Sequence, residues 1–546
     1  MAVITTDLTL DQALNKIAAR YPRRKAVSFN GETLTFSELR RRVDRLASGL
    51  QTLGVCSGDR VALLLPSCLE FPVAFFAPSA LGAVVVPLNP IYRQKEIQHI
   101  LADSEAAVVI ADPRPLGNDV QGILAALRPS LPSLRHVILR GPAAPGMLSL
   151  TELPDPRGPL PPPVSPASLC ALVYTSGTTG QPKAVMHSHS SMISAVAQSE
   201  KSLNEPLHLQ IWHLLMLVRQ YGRRFLRPGL GQLNLLSVAP LHSLIGYGFC
   251  LYGLLYGHHL VIADRFQPAR VLELIEQQQV NAMILTPSML AALLDSPELG
   301  RRRVSSLLAV FVAAAPTPPD LVRRARTAFG CPVLVGFGAT EVGGLTLMPD
   351  FFDPVRLQSE TVGKPFPGME ARIVDEHHDQ LPTGETGELA LRLASNMLGY
   401  YMAPELTTAN LGADGWYFTG DLATMDGAGY IRIVGRKKDM IIRGGQNIFP
   451  AEIEAFLLAR PGIENAAVIG VPDSVAGERV WAFILPRAGS TQTPADITNY
   501  CRAELAPYKV PDQVRIVETL PLTTTGKVQK YVLQEKALQE VNGTSA

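Results

Sequence analysis

Short apolar runs of β-like composition recur through the first two thirds of the chain. They read VALLLP (61–66), AVVVPL (83–88), AAVVIAD (106–112), HLVIAD (259–264), AMILTP (282–287), LLAVFVAA (307–314) and PVLVGFG (332–338). Brief apolar runs bounded by turn formers predict strands buried on both faces. Between them lie segments of helical period, such as FSELRRRVDRLASGLQTLG and PARVLELIEQQQV. Strands alternating with helices predict parallel, doubly wound α/β sheets. Phe71–Leu88 carries no charge and is about long enough to span a bilayer, but it contains Pro72, Pro78, Gly82 and Pro87. It divides into a helix and a strand and is read as both. The proline-rich stretch 154–166 predicts a loop.

Near Gly435 the pattern changes. After the basic, glycine-rich GRKKDMIIRGGQN come a helix (PAEIEAFLLAR), two strands (NAAVIGVPD, RVWAFILP) and a helix (PADITNYCRAELA). This is an α+β unit large enough to be a domain. The reading is therefore a large α/β domain over 1–435 and a small α+β domain over 436–546, with the boundary near Arg436–Lys438.

Composition narrows the class. The chain has 546 residues, 47% hydrophobic and 18% charged, and a net charge of +1. That suits a multidomain globular protein and gives no field for nucleic acid. Six scattered cysteines without a CxxC pair predict buried, reduced thiols in a cytoplasmic protein. The N-terminal stretch has no long apolar core of the secretory kind.

One loop carries chemistry. Tyr174–Val185 reads YTSGTTGQPKAV, with hydroxyls at Thr175, Ser176, Thr178 and Thr179, glycines at 177 and 180, and Lys183. It lacks the GxxxxGK[ST] order of a P-loop, and the residues after its lysine, AVMHSH, read as a strand. Successive backbone N–H groups in glycine-permitted conformations can still form a nest for an anion, with a lysine to add charge.

This loop, FGATE (337–341), GWYFTGDLA (415–423), GRKKDMIIRGGQNIFPAEIE (435–454) and PLTTTGKVQK (521–530) occur in that order. Together they resemble the adenylate-forming superfamily, which includes acyl- and aryl-CoA synthetases, peptide-synthetase adenylation domains and luciferases. The resemblance runs from about Leu10 to Glu535. It implies an acid–CoA ligase in which a carboxylate attacks the α-phosphorus of ATP and a thiol then displaces AMP. It also implies roles. Residues 174–183 hold the phosphates, Thr340 contacts the α-phosphate, and Glu341 holds Mg²⁺. Phe337 stacks on adenine opposite Ala313–Pro316, with Ala314 among them. Asp421 and Arg436 bind the ribose. The small domain turns about Lys438, which brings either Lys527 to the adenylation site or Arg443–Gly445, with Gly444 and Gly445, to a pantetheine tunnel.

Three departures stand out. The phosphate loop ends in PKA, with Ala184 where glycine is usual. A histidine that often gates the acyl pocket is displaced in APLHSLIGYG, where His242 falls one place early and Ser243 takes its slot. The segment Glu200–Leu236 is longer than usual, and over 205–230 apolar residues lie beside Arg219, Arg223, Arg224 and Arg227. It reads either as an insertion packed on the surface or as a basic helix touching lipid or a partner. The acyl pocket is expected near His242–Gly248, including Gly246, and near Ala339–Leu345, including Val342 and Gly343. Its small apolar residues favour an aliphatic or aromatic acid over a charged one. A free-standing enzyme that loads a carrier protein, and a non-catalytic nucleotide-binding homologue, are the rival readings; a homodimer stays open.

Overall fold

The structure is a computed structural model that describes residues 4–153, 158–175, 182–208, 218–219, 221, 231–444, 446–473, 476–523 and 526–543. Among these residues two large sheets carry the first part of the chain. The seven-stranded sheet has the order Val333–Val335, Ala309–Val312, Ala282–Leu285, Asn234–Ser237, His259–Ile262, Lys25–Phe29, Glu32–Thr35. All its neighbours run parallel except the last pair, a tight hairpin. The eight-stranded sheet runs Gly399–Tyr400, Lys183–Ser188, Leu169–Thr175, Val84–Pro87, Arg60–Leu64, Val108–Ala111, His136–Leu139, Leu148–Ser149. Each of the seven apolar runs lands on a strand. Val84–Pro87 and Val108–Ala111 are buried at each position, as strands covered on both faces must be.

Helices fill the layers beside the sheets. Phe36–Thr52 begins with a capping box in which Thr35 accepts from the Glu38 backbone and Glu38 returns to Thr35. The uncharged stretch from residue 71 folds as the helix Glu70–Phe76, a turn of 3₁₀ helix and the strand Val84–Pro87. No helix among the described residues is long and apolar enough to cross a membrane. All six cysteines are unpaired, and all but Cys56 are buried.

Two features were not foreseen in the hydrophobic pattern. A four-stranded antiparallel sheet, Glu370–Val374, Gly387–Arg392, Tyr417–Met425 and Ile431–Arg436, comes after the parallel sheets. A small three-stranded sheet presents Phe337–Ala339 beside Gly344–Met348. A 3₁₀ turn, Lys437–Asp439, then leads from Arg436 into a separate sheet of five strands. That sheet pairs Ile463–Asp473 with Gly477–Pro486 and has its own apolar cores, one around Ile453, Val468 and Ile497, the other beneath the closing helix Lys530–Gly543. The helix starting at His189 continues to His208; most of 205–230, where the basic helix was expected, lies outside the described residues.

Candidate active site

The hydroxyl-rich loop connects two antiparallel strands. Thr175 stands opposite Lys183 in register, so both flank one hairpin tip. Ser176, Gly177, Thr178, Thr179 and Gly180 lie outside the described residues. The strand that leaves the loop, Lys183–Ser188, pairs on its other side with Gly399–Tyr400, where Tyr400 stands opposite Val185. One sheet edge therefore gathers the hairpin, Lys183 and Tyr400.

Two contacts carry this edge to the FGATE segment. His187 is fully buried, and its Nε2 lies 2.7 Å from the backbone oxygen of Thr340. Burial lowers its pKa to about 4, so the ring is neutral and Nε2–H donates to that carbonyl. Tyr400 donates its hydroxyl to Glu341 Oε1 at 3.0 Å, and the Met397 N–H donates to the Glu341 carbonyl at 2.7 Å. Thr340 and Glu341 form a single 3₁₀ turn at the end of the strand Phe337–Ala339. The close turn demands glycine at 338, because a Cβ there would lie 2.1 Å from the Gly344 carbonyl oxygen.

A second cluster lies on the antiparallel sheet. Asp421 and Arg436 face each other across adjacent strands, with Nε 2.7 Å from Oδ1 and a second contact at 3.4 Å. Asp421 is only 5% exposed. Burial pushes its carboxyl up, and the Arg436 guanidinium opposes that shift. Tyr417 interacts electrostatically with Glu341, Tyr400 and Asp421, which places it between the two clusters. Lys437, next to Arg436, pairs with the buried Glu388 at 2.9 Å, and Glu388 also accepts from the Gly420 N–H. Lys438 is the next residue of the 3₁₀ turn.

Lys527 arrives from the far end of the chain. Burial and the Arg436 charge lower its pKa to about 8, while Asp421 and Asp439 act the other way. Its side chain nevertheless keeps an exposed face. The lysine borders the open cleft and has protein on its other sides. A tight turn presents it: its N–H donates to Thr523 Oγ1 at 3.0 Å and its carbonyl accepts from the Thr523 N–H at 2.8 Å.

The residues expected around adenine are more open. Phe337 is half-buried, and Ala314 is exposed with a left-handed φ of 78°. Gly444 ends the strand Ile441–Arg443, and its N–H donates to the Ala476 carbonyl; Gly445 lies outside the described residues. His242 is half-buried, its two ring nitrogens are shielded from solvent and unpartnered, and that shielding lowers its pKa to about 4. Gly246 packs so closely that a Cβ would lie 2.1 Å from the Pro240 carbonyl oxygen, and Ser243 caps the helix Leu244–Leu255. Val342 is fully buried, while a Cβ on Gly343 would come 3.0 Å from the Ser395 carbonyl oxygen and 3.4 Å from Ala195. Two pairs of adjacent histidines, His258–His259 and His377–His378, are engaged elsewhere: His259 contacts Ser28 and Asn234, His258 accepts from the Leu233 N–H, and His378 stacks on Phe418. Sequence reasoning missed His187, Tyr400, Tyr417, Glu388 and Lys437. His187, Tyr400 and Glu388 act on residues distant in the chain and gave no local signal, whereas Tyr417 and Lys437 lie inside the motifs GWYFTGDLA and GRKKDMIIRGGQNIFPAEIE.

Comparison with known proteins agrees with this geometry. A family model described as AMP-binding enzyme matches residues 14–401, and one described as AMP-binding enzyme C-terminal domain matches residues 452–527. A feruloyl-CoA synthase from Amycolatopsis sp is 35% identical over 514 residues, covering 93% of this chain and 95% of that protein. The human mitochondrial medium-chain acyl-CoA ligase ACSF2 is 30% identical over 568 residues, covering 98% of this chain and 88% of that protein. Among solved structures, the anthranilate CoA ligase AuaEII in complex with anthranoyl-AMP superposes with a TM-score of 0.84 at 26% identity, covering 99% of both chains. The amide bond synthetase McbA from Marinactinospora thermotolerans gives a TM-score of 0.82 at 28% identity, covering 97% of this chain and 99% of that one.

Proposed function

We propose that this chain, which belongs to the AMP-binding enzyme family, is an ATP-dependent acid–CoA ligase that forms AMP. The observation that carries the reading is the meeting of Asp421, Arg436 and Lys527 in one cleft. A carboxylate oxygen attacks the α-phosphorus, the bond to pyrophosphate breaks, and an acyl-adenylate forms. The CoA thiol then attacks the acyl carbon and AMP leaves with the C–O bond electrons. In-line displacement at phosphorus asks a protein chiefly for position and charge neutralisation.

The roles are those the family resemblance implies, and the placement of the described residues supports them. Asp421, ionised beside Arg436, accepts from the ribose hydroxyls. Lys183 and the hairpin tip, with Thr175, Ser176, Gly177, Thr178, Thr179 and Gly180, hold the β- and γ-phosphates. Phe337 and the Ala314 segment hold adenine. Thr340, with its backbone carbonyl fixed by His187, aims its hydroxyl at the α-phosphate. Lys527 neutralises charge that gathers on the bridging oxygen. Thr340 and Glu341 offer oxygen donors, and among the described residues no group of three His, Cys, Asp or Glu could cage an ion. Mg²⁺ shared between one carboxylate and substrate phosphates suits such a site. Glu341 would hold it, and the ion would neutralise phosphate charge there.

The large domain is assigned residues 1–435 and the small one 436–546, with rotation at Lys438; the Lys437–Glu388 pair fixes the chain just before that point. The swing brings Gly444 and Gly445 to the thiol path for the second step. Gly343 and Gly344, backed by Ala195, support an uncharged aromatic or aliphatic acid, with Val342, Gly343, His242 and Gly246 near its pocket. Relatives named for feruloyl and medium-chain acyl substrates agree with that class. Unpaired cysteines support a reducing compartment such as the cytoplasm. A panel of acids with ATP and CoA, scored for AMP and thioester, tests the reading. Equimolar AMP and acyl-CoA is the expected result. AMP formed only with an amine or a carrier protein as acceptor would replace CoA in the account.

A further inference from the structure

The turn that presents Lys527 rests on one short helix of the large domain. Gly526 has a left-handed φ of +78°, and a Cβ on it would come within 2.5 Å of Ser288 Oγ and 3.9 Å of Thr286 Oγ1. The backbone of the small domain therefore lies directly on the first turn of the helix Pro287–Leu294. Thr286 caps that helix and also contacts Ser288 through their hydroxyls at 2.9 Å. At the other end the capping residue Asp295 holds Arg324 of the large domain at 2.8 Å and reaches Arg487 of the small domain at 3.5 Å. Ser288 and Asp295 are separated by roughly 10 Å at 1.5 Å per helical residue. One contact would leave the small domain free to turn about it; two contacts that far apart, together with the connecting turn Lys437–Asp439, fix its orientation.

We propose that the helix Pro287–Leu294, with Ser288 at its start and Asp295 at its end, is the seat on which the small domain docks to make the acyl-adenylate. Ser288 is a positioning residue for Lys527. It does not touch the reacting atoms, and it sets how deep the Gly526–Lys527 turn settles. The thiol step uses the other orientation, in which this seat is vacated. The proposal rests on the ligase reading and adds to it the surface that selects the first orientation.

Ser288 is exposed on the helix surface, so a larger side chain fits the large domain's own fold and collides only with the docked turn. Ser288→Met should lower acyl-AMP formation from acid and ATP on the order of tenfold, as expected when a two-state equilibrium shifts toward its other member. Thioester formation from supplied acyl-AMP and CoA should stay at the wild-type rate. Ser288→Ala, which removes the hydroxyl and adds no bulk, should lose less of the first step than Ser288→Met and keep the second. Asp295→Lys should give a smaller loss in the first step that shrinks as salt rises, because both partners are exposed. Wild-type first-step rates in Ser288→Met, or equal losses in both steps, would overturn the seat. A wild-type enzyme that makes acyl-AMP from no acid would overturn the ligase reading itself, and the seat with it.

Discussion

Asp421 and Arg436 meet from neighbouring strands at 2.7 Å, whereas Lys527 reaches the same cleft from a turn that Thr523 holds. The strand-built wall has a partner for each group: His187 fixes Thr340, Tyr400 fixes Glu341, and Glu388 fixes Lys437. On the other wall, the lysine keeps an exposed face toward the cleft, and the protein around it together with Arg436 and Asp421 across the cleft sets its pKa. The difference teaches a division of labour. One wall is preorganised to receive the nucleotide, and the other supplies a charge that can be withdrawn.

The sharpest way to break this comparison is at the movable wall. Lys527→Ala should lower overall ligation by about 10²–10³-fold, the usual cost of losing one transition-state contact in a closed site. Because its pKa is lowered to about 8, Lys527 is charged below that pH and loses its charge as pH rises through it. Ligation should therefore fall on the alkaline side, with bound phosphates moving the inflection upward. Lys527→Arg, which stays charged, should lose that inflection.

Arg436→Met attacks the fixed wall. It leaves the buried Asp421 carboxylate unpaired, which costs about 3 kcal/mol in stability, the lower end for breaking a buried pair because Arg436 is partly accessible. Urea unfolding checks this, and adding Asp421→Asn should recover part of the loss. Equal stability of wild type and variant would mean the pair contributes nothing to the wall. Tyr400→Phe removes one hydrogen bond to a carboxylate, worth about 1.5 kcal/mol. It should lower ligation roughly tenfold and raise the Mg²⁺ concentration needed, and an unchanged Mg²⁺ requirement would detach Tyr400 from Glu341. The smallest effect is expected at Ala314, whose φ of 78° strains a side chain. Ala314→Gly relieves roughly 1 kcal/mol of strain and gives part of it back as unfolded-chain entropy, a net gain of about 0.5 kcal/mol. A fall in Tm would show that the methyl packs usefully.

The same contrast explains what the chain revealed before its fold was known. Buried parallel strands such as Val108–Ala111 are apolar throughout, so their period could be read directly. Asp421, Arg436, Glu341 and Lys527 stood out because they lie in dense local motifs. His187 and Tyr400 did not, because each acts on a residue far along the chain, and strand pairing alone brings them there. The antiparallel sheet 370–436 was missed because its strands are edged by charge and half-exposed, as in Glu370–Val374 and Ile431–Arg436. His242 drew notice from a motif one place out of register, and the structure leaves it half-buried with both nitrogens shielded and unpartnered.

The most direct test of the two-wall account is to time the half-reactions separately in Lys527→Ala. Acid and ATP should give acyl-AMP about 10²–10³ times more slowly than in wild type. Supplied acyl-AMP and CoA should give thioester at a nearly normal rate. Equal slowing of both steps in a variant that folds normally would contradict the account, because it would place Lys527 in a single fixed site that serves both reactions.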